Sequence, residues 1–121
     1  GFLYPLGEKQ ETIKPRFERY YRRAEIIGGD FHFLRRHLPA DLSGKDVITS
    51  TVSVEDVQEL KDRGVRWLAT TGPSFQGRSL GANVLEAVCA AILESKEGPS
   101  PELYPGLFKQ LAWEPRLERL N

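Results

Sequence analysis

The loop over residues 70–79 carries the groups of this sequence that are best suited to hold an anion. Its glycines allow a ligand to approach the backbone closely, and the helix that follows presents the partial positive charge of its N-terminus. Arg78 lies beside that helix start and can bind a carboxylate or phosphate through two parallel hydrogen bonds. We therefore predict an anion or cofactor pocket lined by Thr71, Gly72, Gly77, Arg78, Ser79 and Asn83.

Other functions of this loop have to be weighed against that prediction. Ser79 can instead cap the helix while the glycines only shape a long turn, and the sequence leaves both interpretations open. A P-loop is excluded, because no Gly-Lys-Ser or Gly-Lys-Thr follows the glycines. Ser74 does not stand in a Gly-x-Ser-x-Gly pattern, so nothing supports acyl transfer.

Asp30 and His32 form the second candidate group. A carboxylate and an imidazole two positions apart can transfer protons, and we predict that they are the catalytic residues if the protein is an enzyme. The alternative is that Asp30 caps a helix that begins after it. His32 and His37 are five positions apart and do not share a helical face, so the pattern predicts no metal site. Cys89 lies in an apolar helical stretch and is expected to be packed and unreactive.

Strands and helices must alternate to position these groups. Residues 46–49 predict a strand, Ser53 followed by Asp56 is close to a capping box, and residues 65–70 predict a further strand. Strand, helix and strand over roughly thirty residues form a βαβ unit, which requires parallel strands and a right-handed crossover. The core side of its helix is expected to consist of Val54, Val57 and Leu60, with Gly64 at the C-terminal end.

Elements on either side of this unit follow from the same patterns. A helix beginning near Pro15 has one apolar stripe, a short strand ends at two glycines, and a helix runs from Asp30 to Pro39. The stripe consists of Phe17, Tyr20, Tyr21 and Ala24, and the strand of Glu25, Ile26 and Ile27 before Gly28 and Gly29.

Further along the chain, the stretch Leu80–Leu93 predicts a helix that is apolar on nearly every side. It should therefore be buried within the domain or against a partner, and a homodimer through it is one possibility. Residues 95–101 predict a linker, residues 102–111 a short helix, and residues 116–120 an edge strand with one exposed face.

The expected fold class is α/β, a three-layer Rossmann-like domain with a mostly parallel sheet. Ligands of such sheets bind beyond the carboxyl ends of the strands. Three segments are expected to meet there, namely residues 28–32, 49–51 and 70–79.

Composition excludes several classes of protein. The chain has 121 residues, with 17 basic and 17 acidic side chains, so a dedicated nucleic-acid surface is not expected. No apolar run reaches the roughly 18 residues of a membrane span, and no signal peptide is present, so we expect a cytoplasmic protein that does not bind membranes. The length is that of one domain, so residues 1–121 are expected to form a single α/β domain. The absence of Met indicates a processed, recloned or fragmentary chain, and we expect a fragment of a longer chain.

Most of the chain resembles the C-terminal half of bacterial proteins catalogued as quinate 5-dehydrogenases. The stretches that carry the resemblance are residues 2–10 (FLYPLGEKQ), 13–21 (IKPRFERYY), 29–32 (GDFH), 42–49 (LSGKDVIT), 77–87 (GRSLGANVLEA) and 115–121 (PRLERLN). The resemblance implies a chain about twice as long and a dehydrogenase that oxidises a ring hydroxyl with NAD or NADP. Quinate and shikimate carry a carboxylate, for which Arg78 is the natural partner.

Two functions are therefore open. One is a quinate or shikimate 5-dehydrogenase-like enzyme that binds a small-molecule carboxylate or a nucleotide. Its cofactor site is not evident in this chain, which has no Gly-x-Gly-x-x-Gly. The other is a non-catalytic ligand-binding or assembly domain whose Leu80–Leu93 helix packs against a partner.

Overall fold

The computed structural model describes residues 16–94 and 100–121. The predicted helix start at Pro15 and most of the predicted linker lie outside these residues. In chain order the elements are α1 (Glu18–Arg23), β1 (Ile26–Asp30), α2 (Phe31–His37), β2 (Asp46–Ser50), α3 (Val54–Asp62), β3 (Trp67–Thr70), β4 (Ser74–Phe75), β5 (Arg78–Ser79), α4 (Ala82–Ile92), a 3₁₀ turn (Pro101–Leu103), α5 (Tyr104–Gln110) and β6 (Arg116–Arg119).

The main sheet of the described residues has four strands in the order β1-β2-β3-β6. β1 pairs with β2 and β2 with β3 in parallel, and β6 joins the outer side of β3 antiparallel. The predicted βαβ unit, the mostly parallel sheet and the edge strand near the C-terminus are thereby confirmed. The expected loop over residues 70–79 contains a small antiparallel hairpin, β4–β5.

One face of this sheet carries the core. Ile27, Val47 and Leu68 occupy matching positions on the three parallel strands and are almost completely buried. They pack with Phe31 and Leu34 of α2 and with residues farther along the chain, including Leu60 of α3. Burial of this continuous apolar layer is the main favourable contribution to the stability of the sheet.

The opposite face of the sheet is more exposed. Ile26 is 59%, Ile48 44% and Leu117 68% exposed. Because side chains alternate along a strand, these residues lie on the side opposite Ile27 and Val47. In the described part of the chain, the parallel strands therefore have one well-buried face and one partly open face.

The predicted stripe of the first helix is only partly correct. Phe17 and Tyr20 are 63% and 58% exposed, whereas Tyr21 and Ala24 pack against the core. Phe17 has a left-handed φ of 59° and precedes α1, which has only six residues. So short a helix presents too few residues to bury the whole stripe.

Two other details differ from the sequence prediction. β1 continues through Gly28 and Gly29, because both pair with residues of β2, so the strand does not end at the glycines as expected. Val54 is 52% exposed and is not part of the core side of α3. It lies instead beside the hairpin, where a Cβ built on Gly77 would come within 2.8 Å of the Val54 Cγ2 atom.

Leu68→Ala tests which face of the sheet carries the core. Leu68 has no exposed surface, and its truncation is expected to lower the free energy of unfolding by about 2–5 kcal/mol. Leu117→Ala, on the neighbouring strand but 68% exposed, is the matched control and should change it by no more than about 0.5 kcal/mol. Urea unfolding followed by circular dichroism measures both. Equal losses would contradict this arrangement of the faces.

Candidate functional site

A cavity of about 350 Å³ lies beyond the carboxyl ends of β2 and β3. The loop after β2, the strand β5 and the first turns of α2, α3 and α4 all contribute to its wall. We call it the carboxyl-edge cavity, and its lining residues are His32, Thr51, Val52, Ser53, Asp56, Arg78, Ser79, Leu80, Gly81 and Val84.

The structure brings some of the predicted site residues together and separates others. His32, Arg78 and Ser79 line the carboxyl-edge cavity. Thr71 lines a different cavity, on α4 and α5. The remaining predicted residues, Asp30, Gly72, Gly77 and Asn83, are not among those that line either cavity.

Asp30 acts as the N-cap of α2. Its Oδ1 atom accepts a hydrogen bond of 3.0 Å from the backbone N–H of His32. The alternative role predicted for Asp30, helix capping, is therefore confirmed. The cap holds the first turn of α2 in place, and His32 on that turn lines the cavity.

Ser79 is buried and does not cap α4. Its hydroxyl donates to Thr70 Oγ1 at 3.0 Å, and its backbone N–H donates to the carbonyl of Val52 at 2.9 Å. The N-cap of α4 is Gly81, which contributes no side-chain hydrogen bond. The interpretation of Ser79 as a helix cap was wrong, because β5 ends at Ser79 and pairs back into the hairpin.

The remaining predicted site residues, Gly72, Gly77 and Asn83, line neither cavity. Gly72 is closely packed, since a Cβ built there would lie 3.0 Å from Leu85 Cδ1. Gly77 turns the β4–β5 hairpin with a φ of 82°, a conformation that favours glycine, and its carbonyl accepts from Arg116. Asn83 is exposed in the first turn of α4.

Three helix N-termini near this edge differ in charge. The first turn of α2 already holds the carboxylate of Asp30, and α3 has a complete capping box between Ser53 and Asp56. By contrast, α4 begins without a side-chain cap and has no acidic residue in its first turn. The start of α4 is therefore the helix N-terminus of this cavity that best accommodates an external anion.

Arg78 provides the positive charge beside the start of α4. Hydrogen bonds from its own backbone and from Ser53 hold the pKa of Glu55 below its ordinary value, and the charge of Arg78 contributes to the same effect. Within residues 16–94 and 100–121, no ion pair joins Arg78 to a carboxylate within 4.0 Å. Arg78 is an exposed residue, and a guanidinium can bind a carboxylate or phosphate through two hydrogen bonds.

Thr51 and Gly81 form a close contact that sequence reasoning missed. Thr51 has a φ of 54°, which is unusual for a β-branched residue, and it follows β2 directly. A Cβ built on Gly81 would lie 2.9 Å from Thr51 Oγ1. The segment 49–51 was expected at this edge, but only the fold shows that Gly81 allows the two loops to meet.

The second cavity has a volume of about 470 Å³. We call it the α4–α5 pocket, and it is lined by Thr71, Ala82, Leu85, Glu86, Tyr104 and Phe108. Gly81 lines the carboxyl-edge cavity, and the next residue, Ala82, lines the α4–α5 pocket. Both cavities therefore adjoin the start of α4.

Metal and thiol chemistry can be assessed from the same geometry. Across the described ranges, no group of three or more His, Cys, Asp or Glu side chains is placed to hold a metal ion. Cys89 is fully buried in α4, which confirms the expectation of a packed side chain.

None of the described helices is both long and apolar enough to cross a bilayer.

A family model described as "Domain of unknown function (DUF8754)" matches residues 1–120. The chain therefore belongs to this family. No curated protein and no solved structure matches the chain.

Ser79→Ala tests the buried hydroxyl pair that fixes β5 next to β3. It leaves Thr70 Oγ1 buried without its donor, and the free energy of unfolding should fall by about 1–3 kcal/mol. Ser74→Ala, in the exposed partner strand of the hairpin, is the control and should have a much smaller effect. Thermal and urea unfolding measure the difference, and identical stabilities of the two variants would refute this role of Ser79.

Proposed function

We propose that this domain binds a small hydroxylated carboxylate in the carboxyl-edge cavity, as a quinate or shikimate 5-dehydrogenase-like oxidoreductase. The observation that carries the proposal is that Arg78 and His32, remote in sequence, line one cavity beyond the carboxyl ends of parallel strands. A guanidinium that binds a carboxylate and an imidazole that accepts a proton are the two groups that such a substrate requires.

The carboxylate of the ligand would bind at Arg78 and the start of α4. The other two helix starts at this cavity carry acidic side chains, which would repel an anion. Arg78 supplies a charged, bidentate donor, and the uncapped N-terminus of α4 adds a favourable electrostatic potential.

His32 is the proposed proton acceptor. When a ring hydroxyl is oxidised to a ketone, the C–H hydrogen leaves as hydride and the O–H proton leaves to a base. The imidazole of His32 lines the cavity, whereas the Asp30 carboxylate accepts from the His32 backbone and caps α2. Asp30 would thus position His32 without taking the substrate proton itself.

NAD or NADP is the proposed hydride acceptor. The three helix starts at the carboxyl-edge cavity are the candidate sites for its phosphates. The turns after β1 and β2 do not fit a pyrophosphate, because carboxylates of Asp30 and Asp56 already bind the backbone there. The start of α4 has donors for one anion, and in this proposal the substrate carboxylate occupies it with Arg78. A phosphate of NAD or NADP would then contact exposed Asn83, and the nicotinamide would supply the hydride chemistry.

The finer fold assignment, a three-layer Rossmann-like domain, belongs to the same proposal. Parallel sheets in α/β proteins are covered on both faces. The exposure of Ile26, Ile48 and Leu117 on one face is what supports a further layer there. A cytoplasmic location is proposed with it, since the cysteine of the chain is a free, buried thiol.

Arg78→Gln tests the binding proposal directly. Loss of a charged hydrogen bond worth about 1.5–3 kcal/mol should weaken binding of shikimate or quinate about 10- to 100-fold. The control is Arg119→Gln, because Arg119 pairs with Trp67 at the other end of β3. Isothermal titration calorimetry with both ligands provides the measurement.

Three results would contradict the proposal. The first is that the unmodified chain binds neither shikimate nor quinate. The second is that Arg78→Gln and Arg119→Gln weaken ligand binding equally. The third is that His32→Gln and Arg78→Gln both leave ligand binding unchanged. The dehydrogenase activity is tested separately, by the formation of NADH or NADPH from quinate or shikimate.

An assembly function is the second candidate, and exposed apolar residues on α4 favour it. Val84 and Ile92 are 49% and 48% exposed, and Ala87 and Ala91 are exposed between them. At this spacing the four residues lie on one side of the helix, as at helix–helix interfaces. In this alternative, α4 packs against the same helix of a second copy and the domain acts in assembly.

Ala87→Asp tests the assembly function. A charge in the middle of the stripe should convert a dimer to a monomer, because an unpaired carboxylate would be buried in the interface. Ala40→Asp places the same charge at an exposed position outside the helices and should leave the dimer intact. Sedimentation equilibrium gives the mass of each variant, and an unmodified chain that is monomeric at high concentration would rule this function out.

A further inference from the structure

The α4–α5 pocket combines apolar walls with one carboxylate. Of the residues that line it, Ala82, Leu85 and Phe108 contribute apolar surface, and Glu86 carries the single charge. Its volume of about 470 Å³ is within the range of pockets that hold small molecules.

The carboxylate of Glu86 has a neutral neighbour. Burial raises the pKa of Tyr104 above its ordinary value, and the charge of Glu86 and a hydrogen bond with its carboxylate act in the same direction. Tyr104 is thus a neutral donor at neutral pH. In the ranges 16–94 and 100–121, no Lys, Arg or His forms an ion pair with Glu86.

Aromatic rings form the other wall of the pocket. The ring centroids of Tyr104 and Phe108 are 5.9 Å apart, and Phe108 is again 5.9 Å from Trp113. Trp113 in turn meets Phe75 of the β4–β5 hairpin edge to face, at 6.1 Å. The negative faces of such rings attract a cation that lies within about 6 Å of them.

We propose that the α4–α5 pocket binds an organic ammonium group carried on a small apolar body. The ammonium would neutralise Glu86 and lie against the aromatic rings, while the apolar body would contact Leu85 and Ala82. An anion would be repelled by Glu86. A neutral ligand of the same shape would cover the carboxylate without supplying a counter-charge, which costs free energy.

The two cavities at the start of α4 would therefore select opposite charges. The carboxyl-edge cavity contains Arg78 and His32 together with Asp56, whose carboxylate accepts from the Ser53 backbone in the capping box, and the α4–α5 pocket contains Glu86. This second site does not rest on the proposed dehydrogenase function, and each site is tested by a different ligand and a different substitution.

Three probes of similar size separate charge from shape. They are 2-phenylethylammonium, the neutral 2-phenylethanol and the anionic phenylacetate. The ammonium is expected to bind about five- to tenfold more tightly than the alcohol, from an attraction of about 1 kcal/mol or more, and phenylacetate more weakly than either. Binding is followed by the indole N–H signals of the two tryptophans in the NMR spectrum, because Trp113 adjoins Phe108.

Glu86→Gln should abolish the preference for the ammonium over the alcohol, while Glu102→Gln, also exposed, should retain it. Tyr104→Phe keeps the ring and the carboxylate, and should also retain the preference. Phe108→Leu should weaken the binding of all three probes, since it removes an aromatic ring and leaves an apolar side chain in the wall of the pocket. Circular dichroism verifies that each variant is folded.

Three results with these probes would overturn the proposal. These are equal binding of the ammonium and the alcohol, a preference that survives Glu86→Gln, and shifts at the Trp67 indole with none at Trp113. Tighter binding of a neutral aromatic such as adenosine than of the ammonium would also overturn it. Failure of shikimate to bind, by contrast, would affect only the carboxyl-edge cavity.

Discussion

Parallel pairing of β1, β2 and β3 is the interaction from which the rest of the structure follows. Ile27, Val47 and Leu68 share one row of that pairing and are buried together, so a shift of one residue in any strand would expose the apolar layer. The register therefore places the chain segments that leave β1, β2 and β3 at one edge. His32 comes directly after β1 and Arg78 lies in the hairpin after β3, so both line the same cavity.

Electrostatics at that edge depends on how each helix begins. Asp30 and the Ser53–Asp56 capping box satisfy the first N–H groups of α2 and α3 from within the chain. These caps stabilise their helices by about 1 kcal/mol each, and they place negative charge where an external anion would otherwise bind. The start of α4 differs because its N-cap is Gly81, which has no side chain to cap the helix, so Arg78 carries the charge beside this helix start.

Local patterns predicted most of the fold. The Asp30 cap, the Ser53 capping box, the βαβ unit and the C-terminal edge strand all depend on residues close in sequence or on strand periodicity. Some errors concern local structure, namely the Ser79 cap and the end of β1, and the others concern burial. Val54 and Phe17 have the spacing of core residues but are exposed. The spacing shows which side of a helix is apolar, but it does not show how much of that side the rest of the domain covers.

The candidate site could be predicted only in part. Glycines and an arginine before a helix indicate an anion site, and this was enough to single out Arg78. The sequence could not separate Thr71, which lines the other cavity, from Ser79, since the hairpin between them depends on long-range contacts. It also gave no signal for the Thr51–Gly81 contact or for the meeting of Glu86 with Tyr104, which are far apart in the chain.

The sequence alone thus determined the α/β class, the capping box of α3 and the parallel pairing within the βαβ unit, because propensity, capping and periodicity act over a few residues. Tertiary structure decided which face of each helix is buried and which side chains share a cavity. It placed Arg78 with His32 in one cavity and Glu86 with Tyr104 in the other, on either side of the start of α4. These groupings require that loops from distant parts of the chain meet, and only the packing of the sheet and its helices fixes where they do.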